Sequence, residues 1–186
     1  MVYHNNLLNS GRSTAAHFCG NASYFATKVH LRCPTVSMSL ALNNMKIRNA
    51  ANSDLSAIYD LICNLEQSTF PKSNFEEIFD LNNSNNNIGY FVAHTDGRVV
   101  AFGSVYINEL LHHCGKVGEI QELVVSPENR GKKVGSSLIN EMIRWAQKQG
   151  ATQVEVTCNL ARKDAHEFYQ SLGFVHTHKK FVFNYE

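Results

Sequence analysis

From Met45 onward the sequence predicts an α/β domain: one mixed, mostly antiparallel central sheet flanked by helices on both faces. Three observations carry this expectation. Apolar runs at 88–93 and 99–107 flank Asp96-Gly97, the kind of dipeptide that closes a tight hairpin. Residues 134–149 show a broad apolar face at helical spacing, made by Leu138, Ile139, Met142, Ile143, Trp145 and Ala146. Around that helix, strand-like segments at 119–125 and 154–158 precede a further helical pattern at 164–172.

The elements follow in order. Residues 45–49 read as a short edge strand. Ser53 or Asp54 can cap the next helix, whose apolar positions are Leu55, Ile58, Leu61, Ile62 and Leu65. A second, short helix is expected over 75–81, then an Asn-rich loop over 82–87. The hairpin follows, then a strand that starts after Gly115 to Gly118 and is ended by Pro127. Gly150 stops the long helix, and Gly173 stops the last one. Residues 174–176 and 180–185 complete the reading as two final strands.

Composition narrows the function. The 186 residues suffice for one domain with a real core. With 17 Lys and Arg against 16 Asp and Glu, the net charge of +1 offers no case for nucleic acid or a membrane surface as partner. No apolar run is long enough to span a bilayer. The five cysteines, at 19, 33, 63, 114 and 158, form no CxxC pair; they read as free thiols in a reducing, cytoplasmic compartment. Residues 1–44 differ in kind: they contain no acidic residue and only Arg12, Lys28 and Arg32 as basic ones. That leaves 14 basic and 16 acidic residues in 45–186, and the break marks a domain boundary near Asn44–Met45. A disordered extension, upstream sequence attached by a wrong start (Met38 and Met45 lie near the boundary) and a cleaved leader are the competing readings of 1–44.

The informative joint is 123–137. A strand ending in Leu123-Val124-Val125-Ser126-Pro127 runs into Arg130-Gly131-Lys132-Lys133-Val134-Gly135 and then Ser136 of the long helix. Unpaired N–H groups at a helix N-terminus bind phosphate oxygens, and Lys132 and Lys133 add positive charge. A bland surface turn would use similar residues. Neither GxxxxGK[ST] nor GxGxxG is present.

These residues resemble the GCN5-related N-acetyltransferases, the GNAT family. Its pyrophosphate signature, Arg/Gln-x-x-Gly-x-Gly/Ala, is matched by Arg130 to Gly135, with Lys133 in place of a glycine. Asn159, Ala165, Phe168-Tyr169 and Leu172-Gly173-Phe174 resemble a second family segment. The resemblance implies the GNAT fold with a splayed central strand, and acetyl-CoA as co-substrate. It implies cofactor contacts from Leu123, Val124, Val125, Arg130, Gly131, Lys132, Lys133, Val134, Gly135, Ser136 and Asn159. Within the family, Gly118 to Val125, Leu111-His112-His113, Asp164-Ala165-His166 and Tyr59 to Cys63 look like the aminoalkylphosphonate N-acetyltransferases. That subfamily implies a small anionic amine as acceptor and an associated divalent metal, although no clean metal triad is visible here. Homodimers are common in the family.

The chemistry needs a base, because a primary amine with a reference pKa of roughly 10 is protonated at neutral pH. Strict alternation puts Glu119 with Gln121, Leu123 and Val125 on one face, and Ile120, Glu122 and Val124 on the other. Glu119 is the candidate base, matching the family position; a structural ion pair is its bland alternative. Glu122 is its rival if a bulge exchanges the faces. The resemblance makes Tyr169 the acid that protonates the departing thiolate, where a core aromatic is the alternative. For the acceptor's anion, Arg162, Lys163 and histidines 112, 113, 166, 176 and 178 are the available donors. In a strand His112 and His113 would face opposite ways, against a joint metal site. An aminoglycoside, polyamine or peptide amine acceptor remains open, as does a non-catalytic acyl-CoA-binding regulator.

Overall fold

The computed structural model describes residues 44–185. Five strands form a sheet in the order β1-β2-β3-β4-β5: β1 Lys46–Asn49, β2 Ile88–Thr95, β3 Arg98–Leu110, β4 Gly115–Val125 and β5 Ala151–Val156. Neighbours run antiparallel except β4 and β5, which are parallel because helix α3, Val134–Lys148, returns the chain between them. Helices α1, Leu55–Glu66, and α2, Lys72–Asn83, precede β2, and α4, Lys163–Ser171, follows β5.

Both sheet faces are covered. On one, Val134, Leu138, Ile139, Met142 and Ala146 of α3 pack on Phe91, Ala93, Ala101, Val105 and Ile120. Gly103 lets α3 approach closely, since a Cβ there would lie 2.9 Å from the Met142 sulfur. On the other face, Ile58 and Leu61 of α1 and Phe79 of α2 cover Tyr90, Val92, Phe102 and Val124.

The expected hairpin closes at Asp96-Gly97, both residues having positive φ. Helix α2 is longer than predicted; it begins right after Pro71, which takes the N-cap position. Asp54 occupies the N-cap of α1 but makes no side-chain cap bond. Its carboxylate instead accepts from Arg48 Nη1 at 2.6 Å, Arg48 Nη2 at 2.9 Å and the Ala51 N–H at 2.8 Å. This ties β1 to the start of α1. The two strands expected over 174–176 and 180–185 do not form: those residues carry no regular structure among the described residues. The boundary predicted near 44 falls at the edge of the described residues, and residues 1–43 lie outside them.

Candidate active site

Two irregularities of β4 shape the site. Ser104 pairs with Glu122 and Val105 with Ile120, so Gln121 is an extra residue opposite a continuous β3. This bulge corrects the alternation expected from sequence. Ile120 packs in the α3 core, Glu122 turns towards α1 and α2, and Glu119, paired with Tyr106, shares the Glu122 side. The second irregularity is the splay. Pairing of β4 with β5 stops at Ile120 and Val156, while β4 runs on to Val125, bonded to β3 alone. Among the described residues the outer backbone edge of 121–125 has no strand beside it, and an extended amide-bearing ligand can pair there.

Arg130 Nε donates to the Val125 carbonyl at 3.2 Å, at the end of this edge. The chain then turns through Gly131, φ 71°, and Lys133, φ 62°, into α3. Lys133 thus holds the left-handed conformation that suits the glycine of the family signature. The N–H groups of Val134, Gly135 and Ser136 open the helix without intrahelical acceptors, and the positive end of its dipole is flanked by exposed Arg130, Lys132 and Lys133. These groups fit a diphosphate. Gly135 has a packing reason as well: a Cβ there would stand 3.3 Å from the Phe168 ring and 3.4 Å from Val125. The glycine therefore lets α4 seat against the start of α3.

Helix α4 brings Tyr169 to the same end of the sheet. Its ring meets Phe174 edge to face at 5.7 Å, and burial pushes its hydroxyl up to about 12, so it stays protonated. Cys158 raises it further and Arg162 opposes. Arg162 Nη2 donates to Glu66 Oε1 at 3.1 Å, and Glu66 in turn acts on Glu122. The end of α1, the splayed segment of β4 and the start of α4 therefore share one electrostatic neighbourhood. Asn159 follows β5 on an exposed turn, its Oδ1 accepting the Ala161 N–H at 2.9 Å.

Glu119 is half-buried and has no hydrogen-bond partner among the described residues. Glu122 is the more buried carboxyl. Burial first, and then Glu66, push it above its ordinary value, while Ser104 opposes by donating its hydroxyl to Glu122 Oε2. The Ser104 Oγ also accepts the Glu122 N–H at 3.1 Å. Glu122 lines a cavity of about 110 Å³ between α1, α2 and the sheet. At that cavity, Asn82 Nδ2 donates to the Tyr90 and Tyr106 hydroxyls at 2.8 and 2.9 Å. Burial is the main cause that raises both phenols.

Sequence reasoning missed this polar group. Its one visible signal is the set of polar side chains among apolar ones on a single strand face: Ser104 and Tyr106 alternate with core residues behind Phe102. The acceptor donors fare differently. His112 and His113 lie in a one-turn 3-10 helix, not a strand, with rings 4.3 Å apart and at the end of β4 remote from the splay. Of the histidines, His166 approaches the site, its Nε2 being 3.0 Å from the Asn159 carbonyl. Among the described residues no three His, Cys, Asp or Glu side chains converge, so no ligand set for a divalent metal can be named.

A model of the acetyltransferase (GNAT) family matches residues 55–174. The aminoalkylphosphonate N-acetyltransferase of Salmonella typhimurium is 37% identical over 137 residues, which cover 74% of this chain and 89% of that protein. Among solved structures, glucosamine-6-phosphate N-acetyltransferase from Arabidopsis thaliana superposes with a TM-score of 0.66 at 24% identity, over 76% of this chain and 99% of that one. An aminoglycoside N-acetyltransferase in complex with CoA gives 0.69 at 20% identity, over 76% and 94%. Family match, sequence identity and fold thus agree: this chain belongs to the GNAT family and is an acetyl-CoA-dependent N-acetyltransferase.

Proposed function

We propose that this enzyme acetylates the primary amine of a small aminoalkylphosphonate. The observation that carries the acceptor is the likeness to the Salmonella typhimurium enzyme, which extends over 89% of that protein's length. The start of α3 receives the diphosphate of acetyl-CoA. The free edge of Leu123, Val124 and Val125 pairs with its extended arm, with Asn159 closing the far side. Glu119, half-buried and on the Glu122 side of β4, takes the ammonium proton so that the amine can attack the thioester carbonyl. The Tyr169 hydroxyl, held protonated by burial, gives its proton to the departing sulfur. No covalent enzyme intermediate is involved.

The test is a pH profile of acetyl transfer to 2-aminoethylphosphonate, followed by free thiol release. Glu119→Gln keeps the size and removes the base, and should lower turnover by roughly 10²–10⁴ at neutral pH. That deficit should shrink towards about pH 9, where more amine arrives neutral. Tyr169→Phe should be slow without that rescue. A Glu119→Gln profile that overlays wild type removes Glu119 from the base role. Turnover of spermidine or kanamycin with none of any aminophosphonate removes the acceptor assignment.

A further inference from the structure

The cavity beside Glu122 is built for one part of an acceptor and against another. Its walls are Ile58 and Ile62 of α1, Phe75, Ile78 and Phe79 of α2, and Phe102 of β3. Its polar end holds a carboxyl and two phenols. Among the described residues no Arg, Lys or His lines it. A phosphonate dianion placed inside would lose its water without gaining a cationic partner, and would lie beside Glu122. A hydrocarbon group entering the same space loses nothing and gains apolar contact. The space is small, about 110 Å³, and its apolar walls suit a short aliphatic group. Tyr106, which lines the cavity, pairs across the sheet with Glu119, and Glu122, in the splayed segment of β4, is tied to Ser104 by two hydrogen bonds.

We propose that this cavity is an inner subsite that takes a short aliphatic substituent of the acceptor, with Glu122 facing its ammonium and the phosphonate kept outside. The inference rests on the acceptor reading above and sharpens it: 1-aminoalkylphosphonates with a one- or two-carbon side chain are favoured over aminomethylphosphonate. Glu122 is a specificity determinant in this account, and Ser104 positions it.

The experiment measures kcat/KM for aminomethyl-, 1-aminoethyl-, 1-aminopropyl- and 1-amino-2-phenylethylphosphonate, and in parallel for methyl-, ethyl- and propylamine. Each added methylene should raise kcat/KM about fourfold, the equivalent of ~0.8 kcal/mol for a buried CH₂. The phenyl member should fall back. Ile78→Trp, at the exposed rim of α2, should fill the space and bring the propyl-to-methyl ratio towards one. Phe75→Ala should shift the optimum to the phenyl member. A rise with chain length among plain amines, with no phosphonate turned over, keeps the subsite and discards the phosphonate acceptor. A flat or falling series in whichever arm reacts overturns the subsite. Binding of propylammonium against methylammonium, titrated by NMR without acetyl-CoA, gives a reading independent of turnover. Equal affinities, unchanged in Ile78→Trp, overturn it too.

Discussion

Lys133 is one of four non-glycine residues with positive φ among the described residues. At φ 62° and ψ 8° it sits where a β-carbon crowds the following carbonyl, a strain of about 1 kcal/mol or more for a non-glycine residue. Its carbonyl accepts from the Ser137 N–H at 3.1 Å and from Ser136 Oγ at 2.9 Å, so the first turn of α3 depends on that conformation. Lys133→Gly should therefore raise stability by about 1 kcal/mol, read as a higher denaturant midpoint with an unchanged slope. It should also remove one of the positive charges near the proposed diphosphate site. A higher melting point with weaker, less salt-sensitive CoA binding is the expected pair of results; a loss of stability would show that the lysine side chain itself supports the turn. Glu122 gives the second prediction at this scale. Its raised folded value means that the folded state binds its proton more tightly than the unfolded state, so its presence lowers stability as pH rises past the ordinary value of 4.5. Glu122→Gln should raise the melting temperature at pH 8, with the gain vanishing towards pH 4.5. A gain of equal size at both ends would assign it to packing instead of charge.

Among the elements, α1 owes its start to a group with the opposite sign. The buried Asp54 carboxylate is held below its ordinary value of 3.8, first by the hydrogen bonds from Arg48 and also by the Ala51 N–H. Its stabilisation is present above that value and fades as pH falls through the lowered one. Asp54→Asn should cost about 1.5 kcal/mol at neutral pH, a charged hydrogen bond discounted for the half-exposed Arg48. The difference from wild type should narrow in acid, where thermal melts of both proteins converge. Position 54 also shows what a sequence yields at this scale. The capping residue type was visible; that its carboxylate would be taken by Arg48 from β1 was not, since that pairing spans two elements. The hairpin, α3 and the glycine-containing turn before it were legible because each is specified by neighbours in the chain. The bulge at Gln121 was not, because it is defined by how β4 meets β3, and so the side of the sheet that Glu119 and Glu122 share could not be read from alternation. Residues 180–185 carry the alternating apolar pattern of a strand, yet a strand needs a ladder partner, and Phe181, Phe183 and Tyr185 stand exposed.

For the whole molecule, the splay between β4 and β5 couples folding to supply. The outer edge of residues 121–125, without a strand beside it among the described residues, is a gap that an extended ligand arm can fill, so occupancy adds to the free energy of the folded state by mass action. A chain shortened to residues 45–186 contains both core clusters and should melt as one cooperative unit. Adding CoA at a hundred times its Kd should stabilise it by about 2.7 kcal/mol, and the shift should be lost in Gly135→Trp if that variant folds. The same gap is an open sheet edge, the kind of surface that recruits a strand from another molecule. Thioester supply would then act as a chaperone in the thermodynamic sense: when the acyl-CoA and CoA pools run down, the enzyme loses its occupant and its protection from association together, and light scattering on heating should rise as CoA is withdrawn.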